Sequence, residues 1–188
     1  MNRKGEDKPN STIIFRPSML YGKGFHEGYF TIMRQLEKGK YKIIGDGSNH
    51  IPVLHAEDAA KAYGLAVKQF GHKSMNGLKT MNVSCDPAPT QRELIWMLCD
   101  ILGAPVPKDT IPVWNAKTMA KLGEFYYGLR GKPKPLVEFV NKMASDRVFD
   151  VSLAKETLGY RPEKALHEGI KEVVEEYKNI REDNKTSK

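Results

Sequence analysis

Short apolar runs alternate with longer amphipathic stretches along most of the chain. Four runs are rich in β-branched or aromatic residues and are bounded by turn-forming residues, a pattern that predicts strands. They are Thr12–Arg16, Tyr41–Ile44, Ile51–His55 and Thr80–Ser84. The stretches between them have the apolar spacing of helices. Alternating strands and helices indicate an α/β fold with a mostly parallel sheet.

Helical spacing is clearest in the first two thirds of the chain. A helix is predicted over Tyr29–Lys38, and a second begins at Asp58, which we expect to be its N-cap. The second helix has one apolar stripe, predicted to be buried: Ala59, Ala62, Tyr63, Ala66, Val67 and Phe70. A third helix is predicted to open on a capping box of Thr90 with Glu93 and to end at Gly103.

The last third of the chain is less regular. Its proline-bounded part from Pro105 to Pro135 predicts one helix, from Ala116 to about Leu129. Two more are predicted, one from Ser152 to Gly159 and one from about Ala165 to Asn179. Residues 180–188 are expected to be a disordered tail, and residues 1–11 a polar linker or truncation scar.

The first apolar run has an unusual position. Thr12–Arg16 is apolar on both faces, which is typical of a central, buried parallel strand. Only polar residues precede it, so the chain has no crossover that could supply a parallel partner on that side. We therefore expect this sequence to be the second half of a larger fold.

Composition and charge exclude several classes of function. The 188 residues have a net charge of +7, but the basic residues are scattered, with neither zinc-finger spacing nor an aromatic RNA-binding motif. A solvated basic surface, which would also suit an anionic small ligand, is favoured over nucleic-acid binding. Two cysteines cannot build a disulfide framework, and no apolar run approaches the roughly 18 residues of a membrane span. A cytoplasmic protein without nucleic-acid or membrane partners is expected.

Three groups of motifs follow one another in fixed order. They are Ile14–Gly24, then Gly45–Gly47 with His55–Ala60, and finally Leu158–Pro162 with Glu168–Ile170. Together they resemble the C-terminal half of the extended short-chain dehydrogenases/reductases, the NAD-dependent epimerase/dehydratase superfamily. The resemblance covers about Thr12 to Tyr177. It implies the C-terminal part of a Rossmann-type parallel sheet plus a small, mostly helical substrate-binding lobe, over residues 12–179.

The resemblance also implies site residues. In the family a Rossmann sheet binds NAD or NADP, and a smaller lobe covers the substrate. Carried over by motif, Pro17, Ser18 and Met19 would lie near the nicotinamide, with Ser18 also beside the reacting carbon. The substrate pocket would be edged by Ser18, Tyr21, Gly22 and the loop that follows, with His26 and Ile51 as further substrate contacts. The partners implied are a small-molecule substrate and either the missing N-terminal half or a homodimer partner.

Two elements that the family's chemistry needs are not found in this sequence. One is a glycine-rich turn after the first strand, because Gly22–Gly28 has the wrong spacing and belongs to the substrate-side loop. The other is a helical Tyr-x-x-x-Lys pair. Tyr160 and Lys164 match that spacing, but Pro162 between them disfavours a helix. We therefore expect no catalytic residue here and no activity from the chain alone, with NAD or NADP bound by the full-length enzyme.

The substrate class depends on one position. Sugar-nucleotide members usually have an arginine seven residues before the motif aspartate, and this chain has Ile51 there. An alkyl group cannot form bidentate bonds to a diphosphate. The isoleucine at this position favours the 3β-hydroxysteroid dehydrogenase-like and dihydroflavonol reductase-like branches of the family, which act on apolar alcohols and ketones. His50 could partly replace the missing charge, so a sugar nucleotide stays open.

Other reactive side chains favour structural roles. His55 is predicted to be a packed strand residue, and Cys99 a thiol in the core. No cluster of His, Cys and Asp has metal-ligand spacing. The alternative function is a non-catalytic module of the same fold that binds a ligand or a protein.

Overall fold

The computed structural model describes residues 11–25, 27–70 and 77–186. Its strands are β1 (Ser11–Pro17), β2 (Met19–Tyr21), β3 (Ile43–Ile44), β4 (Val53–His55), β5 (Gly77–Val83) and β6 (Thr110–Ile111). Its helices are α1 (Glu27–Glu37), α2 (Ala56–Phe70), α3 (Gln91–Leu102), α4 (Val113–Leu129), α5 (Leu136–Ala144), α6 (Ser152–Leu158) and α7 (Leu166–Thr186).

Every strand pair within the described residues is parallel. β1 pairs with β5, β2 with β4 and β3 with β6. The longest ladder joins β1 to β5, with Phe15 opposite Met81. A parallel pair needs a crossover connection, and here β1 reaches β5 through the segment that contains α1 and α2. The predicted α/β class with a parallel sheet is confirmed.

Two hydrophobic cores divide the chain into a sheet part and a lobe. The smaller core lies where α2 and α6 pack on β4 and β5, and its buried members are Leu54, Ala62, Ala66, Met81, Val83, Ala154, Leu158 and Tyr160. The larger core holds side chains from α1, α3, α4, α5 and α7. This arrangement matches the expected combination of a sheet part and a mostly helical lobe.

Local signals at helix ends are confirmed. Thr90 and Glu93 form a reciprocal capping box at the start of α3, in which the Thr90 side chain accepts from the Glu93 backbone N–H. Gly103 ends α3 with φ of 72°, and Gly159 ends α6 with φ of 66°. Both glycines have the left-handed conformation that costs other residues more.

Two predictions about the last third of the chain are wrong. No helix was predicted over the residues of α5, although proline, here Pro135, is compatible with the start of a helix. α7 continues to Thr186, so residues 180–186 are helical and not a disordered tail. The expected linker lies outside the described residues up to residue 10, and Ser11 already belongs to β1.

Burial departs from prediction at one side of the sheet part. The strand expected to be central and buried, β1, pairs only with β5 among the described residues, and Ile14 is 44% exposed. On α2, Ala62 and Ala66 are buried as predicted, but Tyr63 and Val67 are 50% and 72% exposed. The apolar stripe of α2 is therefore only half covered by the described residues.

Candidate functional site

The carboxyl ends of β1 and β5 meet at one edge of the sheet, where ligands of open α/β sheets bind. Ser18 follows β1 directly and is buried, and its backbone N–H donates to the Val83 carbonyl at 2.9 Å. The Ser84 hydroxyl donates to the Ser18 hydroxyl at 2.9 Å. At this edge the Ser18 and Ser84 side chains therefore lie together at the carboxyl ends of β1 and β5.

Beyond Ser18, the chain passes through β2 into a tight turn against His55. The rings of Tyr21 and His55 meet edge to face, with centroids 5.1 Å apart. Gly22 has φ of +122°, and a Cβ atom there would lie 3.0 Å from His55 Nε2. Glycine is needed at this position both for the backbone conformation and for the approach to the imidazole.

The start of α7 closes over the same group. A Cβ atom on Gly169 would lie 2.7 Å from the Tyr21 ring and 3.0 Å from the His55 ring. The absence of a side chain at Gly169 thus allows α7 to pack directly on Tyr21, whose hydroxyl pKa is raised mainly by burial.

His55 is buried, as predicted, and it faces a charged pair. Its Nδ1 atom accepts a hydrogen bond from the Glu57 backbone N–H at 3.3 Å. Nε2 is 3.3 Å from Glu172 Oε2, an ion-pair distance without hydrogen-bond geometry. Lys164 also pairs with Glu172, and its hydrogen bond is the main cause that lowers the Glu172 pKa.

Asp58 does not cap α2, so that prediction is wrong. The helix begins two residues earlier, at Ala56, and the buried Asp58 carboxylate points across to the segment that precedes α7. It accepts backbone hydrogen bonds from Glu163 and Lys164, both at 3.1 Å. Asp58 therefore holds the start of α7 against the sheet.

Tyr160 and Lys164 do not form a helical dyad, which confirms the prediction. Both residues lie between α6 and α7. The Tyr160 hydroxyl donates to the Ser84 carbonyl at 3.2 Å, and burial raises its pKa. Lys164 is bound to Glu172. Both side chains have structural partners at the sheet edge.

An apolar cleft lies on the other side of Met19. It is a shallow cleft between α1, α3 and α5, and the space within it that a solvent molecule can enter is about 50 Å³. Its lining consists of Met19, Gly28, Tyr29, Ile32, Leu94, Ile95, Leu98, Phe139 and Met143. The surface of the cleft is almost entirely apolar, and the buried Tyr29 hydroxyl contributes almost nothing to it, so the cleft presents hydrocarbon to a ligand.

The expected site residues occupy different environments. Ser18, Met19, Tyr21 and Gly22 cluster near the sheet edge, whereas Pro17 is exposed at the end of β1. Ile51 is fully buried in the lobe core, and its N–H donates to the Pro89 carbonyl at 2.8 Å. His26 lies outside the described residues. The binding roles given to these residues stay predictions.

Sequence reasoning missed part of the cleft wall. Tyr29 was predicted as the first residue of a helix, and nothing in its spacing indicated a ligand contact. Phe139 and Met143 come from α5, which was not predicted. The apolar spacing of Leu136, Val140 and Met143 was the available signal for that helix.

Comparison with known proteins gives similarities to one family. Residues 5–83 match the model of the NAD dependent epimerase/dehydratase family. The chain is also 25% identical over 169 residues to the 2-alkyl-3-oxoalkanoate reductase of Stenotrophomonas maltophilia, covering 88% of this chain and 51% of the relative.

Two other relatives have names with different activities. A 3β-hydroxysteroid-dehydrogenase/decarboxylase isoform of Arabidopsis thaliana is 28% identical, over 92% of this chain and 42% of its own length. The UDP-glucose 4-epimerase of Vibrio cholerae is 23% identical, over 92% of this chain and 48% of its own length. The chain thus spans about half the length of the curated relatives it matches.

Solved structures share the fold. The UDP-glucuronic acid 4-epimerase of Bacillus cereus, crystallised with NAD, aligns with a TM-score of 0.60 and 17% identity. The alignment covers 89% of this chain and 45% of the epimerase. This similarity shows a shared fold.

The described part of the chain contains neither a group of metal ligands nor a membrane-spanning helix. Within residues 11–25, 27–70 and 77–186, no group of His, Cys, Asp and Glu could hold a metal ion. No helix in the same ranges is long and apolar enough to cross a membrane. Cys99 is a free thiol in the core, as predicted, and burial raises its pKa.

Proposed function

We propose that this chain is the substrate-binding half of an NAD(P)-dependent oxidoreductase that acts on an apolar hydroxy or keto compound. The observation that carries this proposal is the apolar cleft beside Met19, at the carboxyl end of β1. Ligands of doubly wound sheets bind beyond these strand ends. The rest of a longer protein would supply the dinucleotide cradle and the catalytic dyad.

Two further observations support an apolar substrate. Ile51 stands where sugar-nucleotide members have an arginine, and its side chain is fully buried. His50, the nearest basic residue to that position in sequence, is occupied, because its Nδ1 atom lies 2.9 Å from Asp146 Oδ1. The names of two relatives contain an alkyl-substituted keto acid and a hydroxysteroid, which are both largely hydrocarbon and have no nucleotide group.

The residues present fit one end of the cofactor. Pro17, Ser18 and Met19 offer backbone and small side chains at the sheet edge, where the nicotinamide ring would lie. The pyrophosphate needs backbone N–H groups of a glycine-rich turn at a helix N-terminus, and the sequence has no such turn with the required spacing. When bound, NAD(P) would supply or accept the hydride. The residues described here would orient the substrate and exclude water.

A second candidate is a sugar-nucleotide epimerase, which the similarity to the Vibrio cholerae enzyme favours. Such a substrate would need a cationic group near its diphosphate. The pairing of His50 with Asp146 leaves that imidazole less free to serve. This candidate therefore ranks second.

The test is an assay on the longer protein. The reading frame upstream of Met1 should be expressed together with this chain, and NADH and NADPH oxidation followed with a 2-alkyl-3-oxo acid. We expect ketone-dependent oxidation by the longer protein and none by the 188-residue chain alone. Epimerisation of UDP-glucose without ketone reduction would favour the second candidate. An upstream frame that lacks the Gly-rich turn and Tyr-x-x-x-Lys would favour the non-catalytic module.

A further inference from the structure

Helix α4 packs on the lobe with its smallest side chains and exposes its largest ones. Its buried residues are Ala116 and Ala120. Gly123 lies so close to α5 that an added Cβ atom would be 2.7 Å from a methyl group of Leu136. The exposed large apolar residues of α4, called its outer face below, are Trp114, Met119, Leu122, Phe125, Tyr126 and Leu129. A surface helix normally has the reverse arrangement, with its large apolar side chains on the core.

The outer face is one continuous apolar surface. Four of its members have the i, i+8, i+11, i+15 spacing of a single side of a helix, and each is at least 66% exposed: Trp114, Leu122, Phe125 and Leu129. The other two members extend this side along one flank. Contiguous apolar patches that stay exposed mark sites of interaction with a protein or a membrane.

Basic side chains border the outer face and lack acidic partners. They are Lys117 and Lys121 on the other flank of α4, and Arg130, Lys132 and Lys134 just after its end. Among the described residues, none of these five forms an ion pair. Glu124 is the one acidic residue in 113–134, and its carboxylate already accepts the Val137 backbone N–H at 2.8 Å. The border of the outer face is therefore positively charged.

This combination fits an anionic lipid surface better than a protein partner. Helices that lie in a membrane interface have Trp, Phe and Leu on one face and Lys or Arg beside it. Tryptophan and tyrosine favour the depth of the lipid headgroups, and clustered basic residues attract anionic ones. The Arg130 guanidinium lies 4.4 Å from the ring centre of Tyr126, which holds its charge at the border of the outer face. A second copy of the chain would bring like charges together across the contact.

We propose that the outer face of α4 and its basic border bind the surface of a membrane that contains anionic lipid, with α4 lying in the interface. This inference goes beyond the proposed function, because it needs neither a cofactor nor a ketone substrate. The expectation of no membrane partner rested on the lack of an apolar run long enough to cross a bilayer. A helix that lies in the interface needs an apolar face instead of such a run.

The two tryptophans of the chain allow a direct test. Trp96→Phe leaves Trp114 as the only tryptophan, and Trp114→Phe leaves Trp96, which is 48% exposed on α3. Vesicles of phosphatidylcholine with about 30% phosphatidylserine should shift the emission of Trp114 to the blue, and brominated acyl chains should quench it. The emission of Trp96 should change little. No response of Trp114, or equal responses of the two tryptophans, would overturn the proposal.

An apolar pair of substitutions tests the outer face itself. Leu122→Gln together with Phe125→Gln should weaken binding to these vesicles about tenfold or more, because both side chains leave water when α4 enters the interface. The matched control is Val67→Gln together with Leu78→Gln in the sheet part, which should change the affinity less than about twofold. All four side chains are at least 63% exposed, so both variants should stay folded. Equal weakening by the two pairs would contradict the proposal.

A basic pair of substitutions tests the charged border. Lys132→Gln together with Lys134→Gln should weaken binding to the vesicles with phosphatidylserine about tenfold, and a rise in salt from about 0.1 M to 0.5 M should also weaken it. Lys38→Gln together with Lys68→Gln, at exposed positions outside α4, is the matched control and should leave the affinity nearly unchanged. Binding of the original chain to pure phosphatidylcholine with the same affinity would overturn the anionic surface as the partner.

Two other outcomes would assign the outer face to a protein and overturn the proposal. A blue shift of Trp114 that grows with protein concentration in the absence of vesicles would indicate a second copy of the chain. Flotation of the 188-residue chain with vesicles, but not of the longer protein, would indicate that the rest of the protein covers α4. Flotation of the longer protein that is lost with Leu122→Gln and Phe125→Gln is the result that we expect.

Discussion

Helices α2 and α3 have similar apolar stripes but different surroundings. On α3, Leu94, Ile95 and Leu98 are at most 3% exposed, because α1 and α7 of the same chain pack against that helix. On α2, Tyr63 and Val67 are at least half exposed, and the Tyr63 ring packs edge to face on Phe15 of β1. An apolar stripe thus predicts a face that needs cover, but not that the same chain provides it.

The sheet beside α2 shows the same lack of cover. Ile14 on β1 and Leu78 on β5 are 44% and 63% exposed. Parallel sheets normally have helices on both faces and apolar residues on both sides of their strands. The comparison supports the proposal that the rest of a longer protein packs on β1 and α2, whereas the inner face of α3 is covered by helices of this chain.

The largest expected difference is between core truncations in the two helices. Leu98→Ala should lower the free energy of unfolding by about 2–5 kcal/mol, because it removes the contacts of a fully buried side chain and leaves a cavity. Val67→Ala, a truncation at a 72% exposed site, should change it by less than about 0.5 kcal/mol. Urea unfolding followed by circular dichroism measures both. Comparable losses would show that α2 is covered in this chain.

A glycine pair sharpens the comparison. Gly169→Ala should destabilise by about 1–3 kcal/mol, because the added Cβ atom would lie 2.7 Å from the Tyr21 ring. Gly64→Ala on α2 meets nothing within 4 Å and should stabilise by up to about 1 kcal/mol through helix propensity. Thermal unfolding of the two variants should therefore shift in opposite directions. Two shifts in the same direction would contradict the close packing of α7.

Asp58 tests the covered end of α2. Asp58→Ala leaves the Glu163 and Lys164 backbone N–H groups without their acceptor, so we expect a loss of about 1–3 kcal/mol. Glu57→Ala, at an exposed neighbouring position, should cost much less. Hydrogen exchange should show faster exchange at residues 163 and 164 in the Asp58 variant alone. Unchanged hydrogen exchange at residues 163 and 164 would show that Asp58 does not hold the start of α7.

The smallest expected effect is a pH dependence from Glu172. Its folded-state pKa is lowered, chiefly by the Lys164 hydrogen bond. Its contribution is therefore present above the unfolded pKa, near 4.3, and is lost as the pH falls through the lower folded value. Between pH 6 and pH 3 the free energy of unfolding should fall less in Glu172→Gln than in the original chain. The difference between the two losses should be below about 1 kcal/mol. The control Glu175→Gln, at an exposed i, i+4 pair, should follow the original profile.

Features that depend on neighbours in sequence could be predicted, and those that depend on distant partners could not. The Thr90 and Glu93 box and the end at Gly103 follow from local backbone chemistry. Asp58 looked like a cap because its true partners, Glu163 and Lys164, are more than one hundred residues away. The exposure of Tyr63 and Val67 likewise depends on what packs against α2, which spacing does not encode.

The candidate site shows the same division. The motif around Ser18, Tyr21 and Gly22 indicated the sheet edge, and the structure brings these residues together there. The lack of a partner for the Tyr29 hydroxyl appears only when the surrounding side chains are placed. The cleft wall from α5 was missed because no helix was predicted over those residues.

The most direct test of the central claim is the affinity of this chain for NADH. If residues 11–186 supply only the substrate side and one end of the nicotinamide contact, calorimetry should find no binding tighter than about 1 mM. The longer protein should bind NADH or NADPH with micromolar affinity under the same conditions. Micromolar binding by the 188-residue chain itself would show that the dinucleotide cradle lies within it and would contradict the account.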